Sequence, residues 1–169
     1  MKKQLISHPV CFIISSSGEE FMNNTTDNFF SFMLAETSYA VPVTAVKEVL
    51  PYEQVTPVPR TPEYLKGVVN IRGTVISVID FRVLFGLPIS EIGKETSIIV
   101  SEVCNNGEPP FVFGFIADSV NEVGSLEKEP AGSGSNMQFV QMIGKTNNQM
   151  VLVLDLIKIL NHIESNINN

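Results

Sequence analysis

Gly67-Val-Val-Asn-Ile-Arg-Gly-Thr-Val-Ile-Ser-Val-Ile-Asp80 is the stretch from which the fold can be read. It is an apolar strand, a tight turn at Arg72-Gly73, and a second apolar strand that stops at Asp80. Glycine tolerates the positive φ that two-residue hairpin turns demand. The turn therefore carries an always-charged guanidinium at the tip of a rigid hairpin. That arrangement suits a docking surface better than an active site.

Outward from this hairpin, the runs stay short, β-branched or aromatic, with Gly, Pro and Asn between them. Candidate strands are Phe29–Leu34, Tyr39–Val41, Glu48–Val55, Gly67–Ile71, Thr74–Ile79, Thr96–Cys104, Phe111–Ala117, Val120–Val123, Met137–Ile143 and Met150–Leu154. This spacing predicts an all-β fold, barrel or sandwich. Helical periodicity is confined to the segment after Asp155. A faint repeat lays Tyr64–Phe85 on Phe139–Leu160 without a gap, so that Arg72-Gly73 matches Asn147-Asn148 and Asp80 matches Asp155. The repeat implies two similar lobes packed on each other. Each aspartate stands where a strand hands over to a short helix, and a carboxylate there caps the first amides for about 1 kcal/mol.

The chain has 169 residues, enough for one domain or two small lobes with a real core. Its formal net charge of −7 disfavours nucleic acid and anionic membrane surfaces. Residues 15–27 are rich in Ser, Asn, Thr, Gly and Glu, so residues 1–27 read as a disordered extension, or as the product of an upstream start codon. Met1-Lys-Lys-Gln with Val10–Ile14 faintly resembles a signal peptide, but His8 and Pro9 interrupt a short apolar region and no clean cleavage site follows. No apolar run approaches the roughly 18 residues of a membrane span. The chain is therefore expected to be cytoplasmic, with no direct membrane insertion.

Catalytic chemistry has few carriers here. Cys11 and Cys104 give no disulfide framework. His8 and His162 are the two histidines, and neither has a plausible metal-ligand set. No Ser-His-Asp or Cys-His arrangement can be assembled, and phosphate-binding and dinucleotide fingerprints are missing. Gly132-Ser-Gly134 reads as a loop. Asp80, Asp118 and Asp155 each end an apolar strand, where capping or turn formation accounts for them better than acid–base chemistry does. The expectation is no enzyme, no cofactor, no metal and no catalytic residue.

The signature hairpin and its flanks resemble the CheW family of chemotaxis coupling proteins. The family's Gly-Val-x-Asn-Leu-Arg-Gly run is matched from Gly67, with Ile71 in place of leucine. Phe30-Ser-Phe-Met-Leu34, Tyr39-Ala-Val-Pro-Val43, Val46-Lys-Glu-Val49, Tyr52–Lys66, Thr96–Val100 and Phe113–Val123 resemble the rest of the family's pattern in order and spacing. The resemblance covers about Asn28 to Ile163. It implies two five-stranded SH3-like barrel lobes on a shared core, with a domain over 28–165, lobe 1 near 36–90, lobe 2 near 91–154 plus crossing terminal segments, and a tail at 166–169.

It also implies partners: the regulatory domain of a CheA-type histidine kinase, the helical cytoplasmic tips of chemoreceptors, and ring-like arrays. The implied kinase-binding residues are Val46, Glu48, Gly67, Asn70 and Arg72, with a Glu48–Arg72 ion pair at the surface. The implied receptor groove involves Ile98, Gly114, Val120 and Val123. On residues alone, Arg72 reads equally as a solvated turn arginine, Gly67 as a strand-entry bend and the valines as core. Three departures stand out: Leu50-Pro51 where the family often has Arg-Gly, Met142 where it favours glycine, and the N-terminal extension. The other readings are a coupling protein of a parallel pathway, such as twitching motility or surface sensing, and a small β-barrel nucleic-acid binder. The acidic charge and the lack of a basic-aromatic strand disfavour the latter.

Overall fold

In the computed structural model, residues 28–104, 109–129 and 138–167 are described. Residues 1–27, Cys11, His8 and the loop around Gly132-Ser-Gly134 lie outside these. In chain order the strands are β1 (Asn28–Leu34), β2 (Thr37–Pro42), β3 (Val46–Pro51), β4 (Leu65–Ile71), β5 (Thr74–Ile79), β6 (Ser97–Val103), β7 (Phe111–Ala117), β8 (Ser119–Ser125), β9 (Glu127–Glu129), β10 (Val140–Thr146) and β11 (Gln149–Leu154). Helix α1 (Phe81–Phe85) follows β5 and α2 (Leu156–Ile167) follows β11.

Two-residue hairpins set the local geometry. Arg72 and Gly73 have φ of 49° and 87°, and Asn147 and Asn148 have 44° and 67°. Positive φ at both turn residues matches the right-handed strand twist. A third such turn, Ala35-Glu36 between β1 and β2, has φ of 45° and 68° without glycine or asparagine. Its Ala35 amide donates to Asp118 Oδ2 at 2.7 Å, a tertiary contact that sequence alone does not announce.

The strands form two curled sheets, ordered β8-β1-β2-β11-β10-β9 and β3-β6-β7-β5-β4. This is the two-lobed β-barrel architecture expected, with six strands in one sheet. The extra strand is β9, a Glu-Lys-Glu edge that carries no apolar alternation to betray it. Strand β3 stops at Pro51 instead of running to Val55. The expected division at 90/91 cuts through the five-stranded sheet. Strand β6 pairs antiparallel with β3, and β7 pairs parallel with β5, so β6 and β7 belong with β3, β4 and β5. The second sheet is completed by the N-terminal β1 and β2, with β2 parallel to β11.

The internal repeat is real in three dimensions. A bulge lies between Leu65 and Gly67 and another between Val140 and Met142. Asp80 N donates to Tyr64 O at 2.7 Å, and Asp155 N to Phe139 O at 2.8 Å. Both aspartates cap their helices, through Arg82 N at 3.0 Å and Lys158 N at 3.0 Å. Gly86, left-handed at φ 67°, ends α1.

The largest apolar cluster takes Phe32, Leu34, Tyr39 and Val41 from one sheet, Ile99, Phe113 and Phe115 from the other, and Phe81, Ile159 and Leu160 from the helices. Phe81 stacks on Phe115 at 4.7 Å between ring centres, and Phe85 on Phe139 at 5.3 Å. Each sheet also encloses a small core of its own, Val69, Ile76, Val78, Ile98, Val100 and Ile116 in one, and Phe29, Ala40, Val151 and Val153 in the other. Neither lobe buries its sheet alone, which is why the two share the aromatic cluster.

Candidate docking surface

Strands β3 and β4 are the opposite edges of the five-stranded sheet, yet Glu48 and Arg72 meet. The sheet curls until its edges approach. Thr56, just beyond β3, exchanges both backbone hydrogen bonds with Val68 of β4, at 2.8 and 2.9 Å. Across this seam Arg72 Nη2 lies 3.1 Å from Glu48 Oε2. The Arg72 side chain is 82% exposed and that of Glu48 25%. Such a pair contributes about 0–1 kcal/mol to stability. Its effect is to restrain a long side chain, leaving most of the guanidinium fork presented to solvent. Asn70 Oδ1 accepts from Gly73 N at 2.9 Å and locks the turn beneath it. Glu48, Asn70 and Arg72 therefore form one unit at the hairpin tip, beside the seam.

Gly67 serves that unit from inside. Its φ is 149°, and a Cβ there would sit 2.2 Å from the Thr56 carbonyl oxygen. The close backbone approach that glycine permits is to the chain's own Thr56–Pro57 segment. Val46 is half-buried at the start of β3 and packs on the shared core. The remaining four candidates divide in two. Ile98 is fully buried in the five-stranded lobe, and Gly114 faces it, with Ile98 Cγ2 2.7 Å from where a Cβ would be. These two support the barrel wall from within. Val120 and Val123 lie on β8, an edge strand, opposite Phe32 and Phe30 of β1, and Val123 is 52% exposed. Met142, at the register of Gly67, packs against the small core of the six-stranded lobe, so the departure from glycine is accommodated by side-chain packing.

The feature that sequence reading missed is Arg82, the largest fully buried side chain among the described residues. Its Nε and Nη2 donate to the two oxygens of Asp80, both at 2.9 Å. Nη1 donates to Asp118 Oδ1 at 2.6 Å and to Ser90 O at 3.3 Å. The hydrogen bond to Asp80 raises the guanidinium pKa further above its ordinary value, against the opposing effect of burial. The available signal was an arginine inside the apolar run Phe81–Phe85, which a capping aspartate two residues earlier could neutralise. Burial of Tyr39 and of Tyr52 pushes both phenols above their ordinary value, with Asp80 adding to the effect at Tyr52. Among the described residues, no group of His, Cys, Asp and Glu side chains is placed to hold a metal ion.

Residues 28–164 match the CheW-like domain. The chain belongs to the CheW family. It is similar to the chemotaxis protein CheW of Klebsiella aerogenes, 30% identical over 138 residues that cover 78% of this chain and 80% of that protein. Chemotaxis protein CheW of Helicobacter pylori is 29% identical over 151 residues, covering 86% and 88%. Among solved structures, the scaffolding protein TtCheW from Thermoanaerobacter tengcongensis superposes with a TM-score of 0.67 at 30% identity, covering 83% of this chain and 91% of that one. The protein is thus a CheW-type chemotaxis coupling adaptor, and the CheW family is a family of non-catalytic scaffolds. No helix among the described residues is long and apolar enough to cross a membrane.

Proposed function

We propose that this CheW-like chain acts in the cytoplasm and joins the regulatory domain of a CheA-type histidine kinase to the cytoplasmic tips of chemoreceptors, with no catalytic step of its own. The observation that carries the kinase half is the hairpin tip, where Glu48 and Asn70 hold Arg72 oriented and exposed. A restrained guanidinium makes two parallel, charge-assisted bonds to a carboxylate at lower entropic cost than a free one. Val46 and Gly67 act behind it, shaping the barrel seam. The receptor half uses β8, where Val120 and Val123 offer aliphatic side chains to a helical hairpin, while Ile98 and Gly114 keep the neighbouring barrel wall in shape. Occupying both surfaces at once raises the effective concentration of one partner near the other, which is coupling without chemistry. Ring-like arrays follow where each partner bridges two adaptors.

The test is binding of the full chain to the kinase regulatory domain, wild type beside Arg72→Glu. Binding should weaken by about tenfold or more, since a charged contact is both removed and reversed. Equal affinity would move the kinase surface off the hairpin. Val123→Glu should in turn reduce capture of a receptor-tip fragment and leave kinase binding intact.

A further inference from the structure

Asp118 stands between β7 of the five-stranded sheet and β8 of the six-stranded sheet, and its carboxylate is shared between the lobes. Oδ1 accepts from Arg82 of α1, which follows β5. Oδ2 accepts from Ala35 N in the β1–β2 turn at 2.7 Å and from Ser90 Oγ at 3.3 Å. Behind Arg82, Asp80 closes the end of β5, whose other end is the Arg72-Gly73 turn. Beyond Asp118 lies β8, with Val120 two residues on. A continuous set of charge-assisted bonds thus runs from the strand carrying the hairpin to the edge strand of the other lobe. Among the described residues no other ion pair joins the two sheets. The repeat has no second copy of it, because Ile157 stands where the other lobe has Arg82. A buried ion pair gains little net stability over apolar packing of the same volume, so geometry is the property this one can add to a core already filled with phenylalanine.

We propose that Arg82 and Asp118 are positioning residues that fix the angle between the lobes, and that through this angle occupancy of one docking surface is felt at the other. The second half rests on the adaptor reading above. Mutating either residue should therefore weaken coupling more than it weakens either binary contact.

Two readouts test it in the full chain. Spin labels on Val75→Cys and Met150→Cys, both exposed and one in each lobe, report the inter-lobe distance in a Cys11→Ser, Cys104→Ser background. Asp118→Asn keeps the shape and an acceptor for Ala35 but removes the charge. Arg82→Lys keeps the charge but loses the fork, and serves if Asp118→Asn does not fold. The parent should give one narrow distance distribution, and both variants a broadened or displaced one. In a reconstituted mixture with receptor fragment and kinase, receptor-dependent kinase stimulation should fall by about fivefold or more, the range of ordinary allosteric coupling. Each binary affinity should change by less than that.

Unchanged distances in the folded variants overturn the strut. Changed distances with unchanged stimulation overturn its part in transmission, as does a parallel loss of stimulation and both affinities, which marks destabilisation alone. If the wild type captures neither partner, the adaptor reading has failed, and the distance measurement still decides whether Arg82 and Asp118 set the angle.

Discussion

The Arg72-Gly73 and Asn147-Asn148 hairpins occupy the same place in their lobes, and they differ chiefly in charge. Each tip reaches across to a glutamate on the edge strand that ends the sheet: Arg72 to Glu48 at 3.1 Å, Asn147 Nδ2 to Glu122 Oε1 at 3.4 Å. An exposed aliphatic residue follows each turn, Val75 and Met150. The backbone has been used twice, while the first turn residue is a permanent cation in one lobe and a neutral amide in the other. The duplicated scaffold thus supplies two similar platforms, and a single side chain gives one of them a positively charged tip. Beneath the tips the lobes differ again. Among the described residues, the five-stranded lobe alone is tied at its base by a buried arginine, and it has Gly67 at the bulge where the other lobe has Met142.

The largest expected asymmetry is at the base. Arg82→Met leaves Asp80 buried without its main partner and should cost about 3–5 kcal/mol in urea unfolding. The matching change Ile157→Met should cost less than about 1.5 kcal/mol, as volume-conserving apolar swaps do. Equal costs would mean that the strut adds nothing beyond packing. Next is the bulge. Gly67→Ala forces a Cβ onto the Thr56 carbonyl and should cost about 3 kcal/mol, at the upper end for overpacking. Met142→Ala, where a side chain already fits, should cost no more than about 2 kcal/mol. A tolerated Gly67→Ala would show that the seam opens easily.

At the tips, the contrast concerns recognition more than stability. Arg72→Gln should lower kinase-domain affinity with less than about 1 kcal/mol change in stability. Asn147→Gln should alter neither, and titration calorimetry beside chemical unfolding separates the two effects. The smallest effect is on pH. Tyr39 and Tyr52 have pKa values raised in the folded state, so their contribution is fully present below the unfolded phenol pKa of about 10 and is lost as pH rises through the folded value. Melting temperature should hold up to about pH 10 and fall above it, less so in Tyr39→Phe.

Much of this was legible beforehand because it is local. The alternating apolar runs, the Arg72-Gly73 and Asn147-Asn148 turns, and the capping roles of Asp80 and Asp155 depend on neighbours a few residues away. The ion pair between Glu48 and Arg72 was anticipated through the family resemblance, since nothing in the residues themselves brings the two edges of a sheet together. Strand β9 was missed because a charged edge carries no apolar period. The lobe boundary was misplaced because strand order in a sheet depends on hydrogen bonds between distant segments.

The chain by itself determined that it would be a two-lobed β protein with an arginine at a hairpin tip. Hydrophobic alternation and turn chemistry suffice for that. Tertiary structure alone decided that β2 pairs parallel with β11, that Gly67 faces Thr56, and that Arg82 is buried between Asp80, which caps α1, and Asp118, which stands between the lobes. Parallel pairing, barrel closure and the partner of a buried charge are long-range choices, set by which surfaces remain to be covered once the local elements have formed.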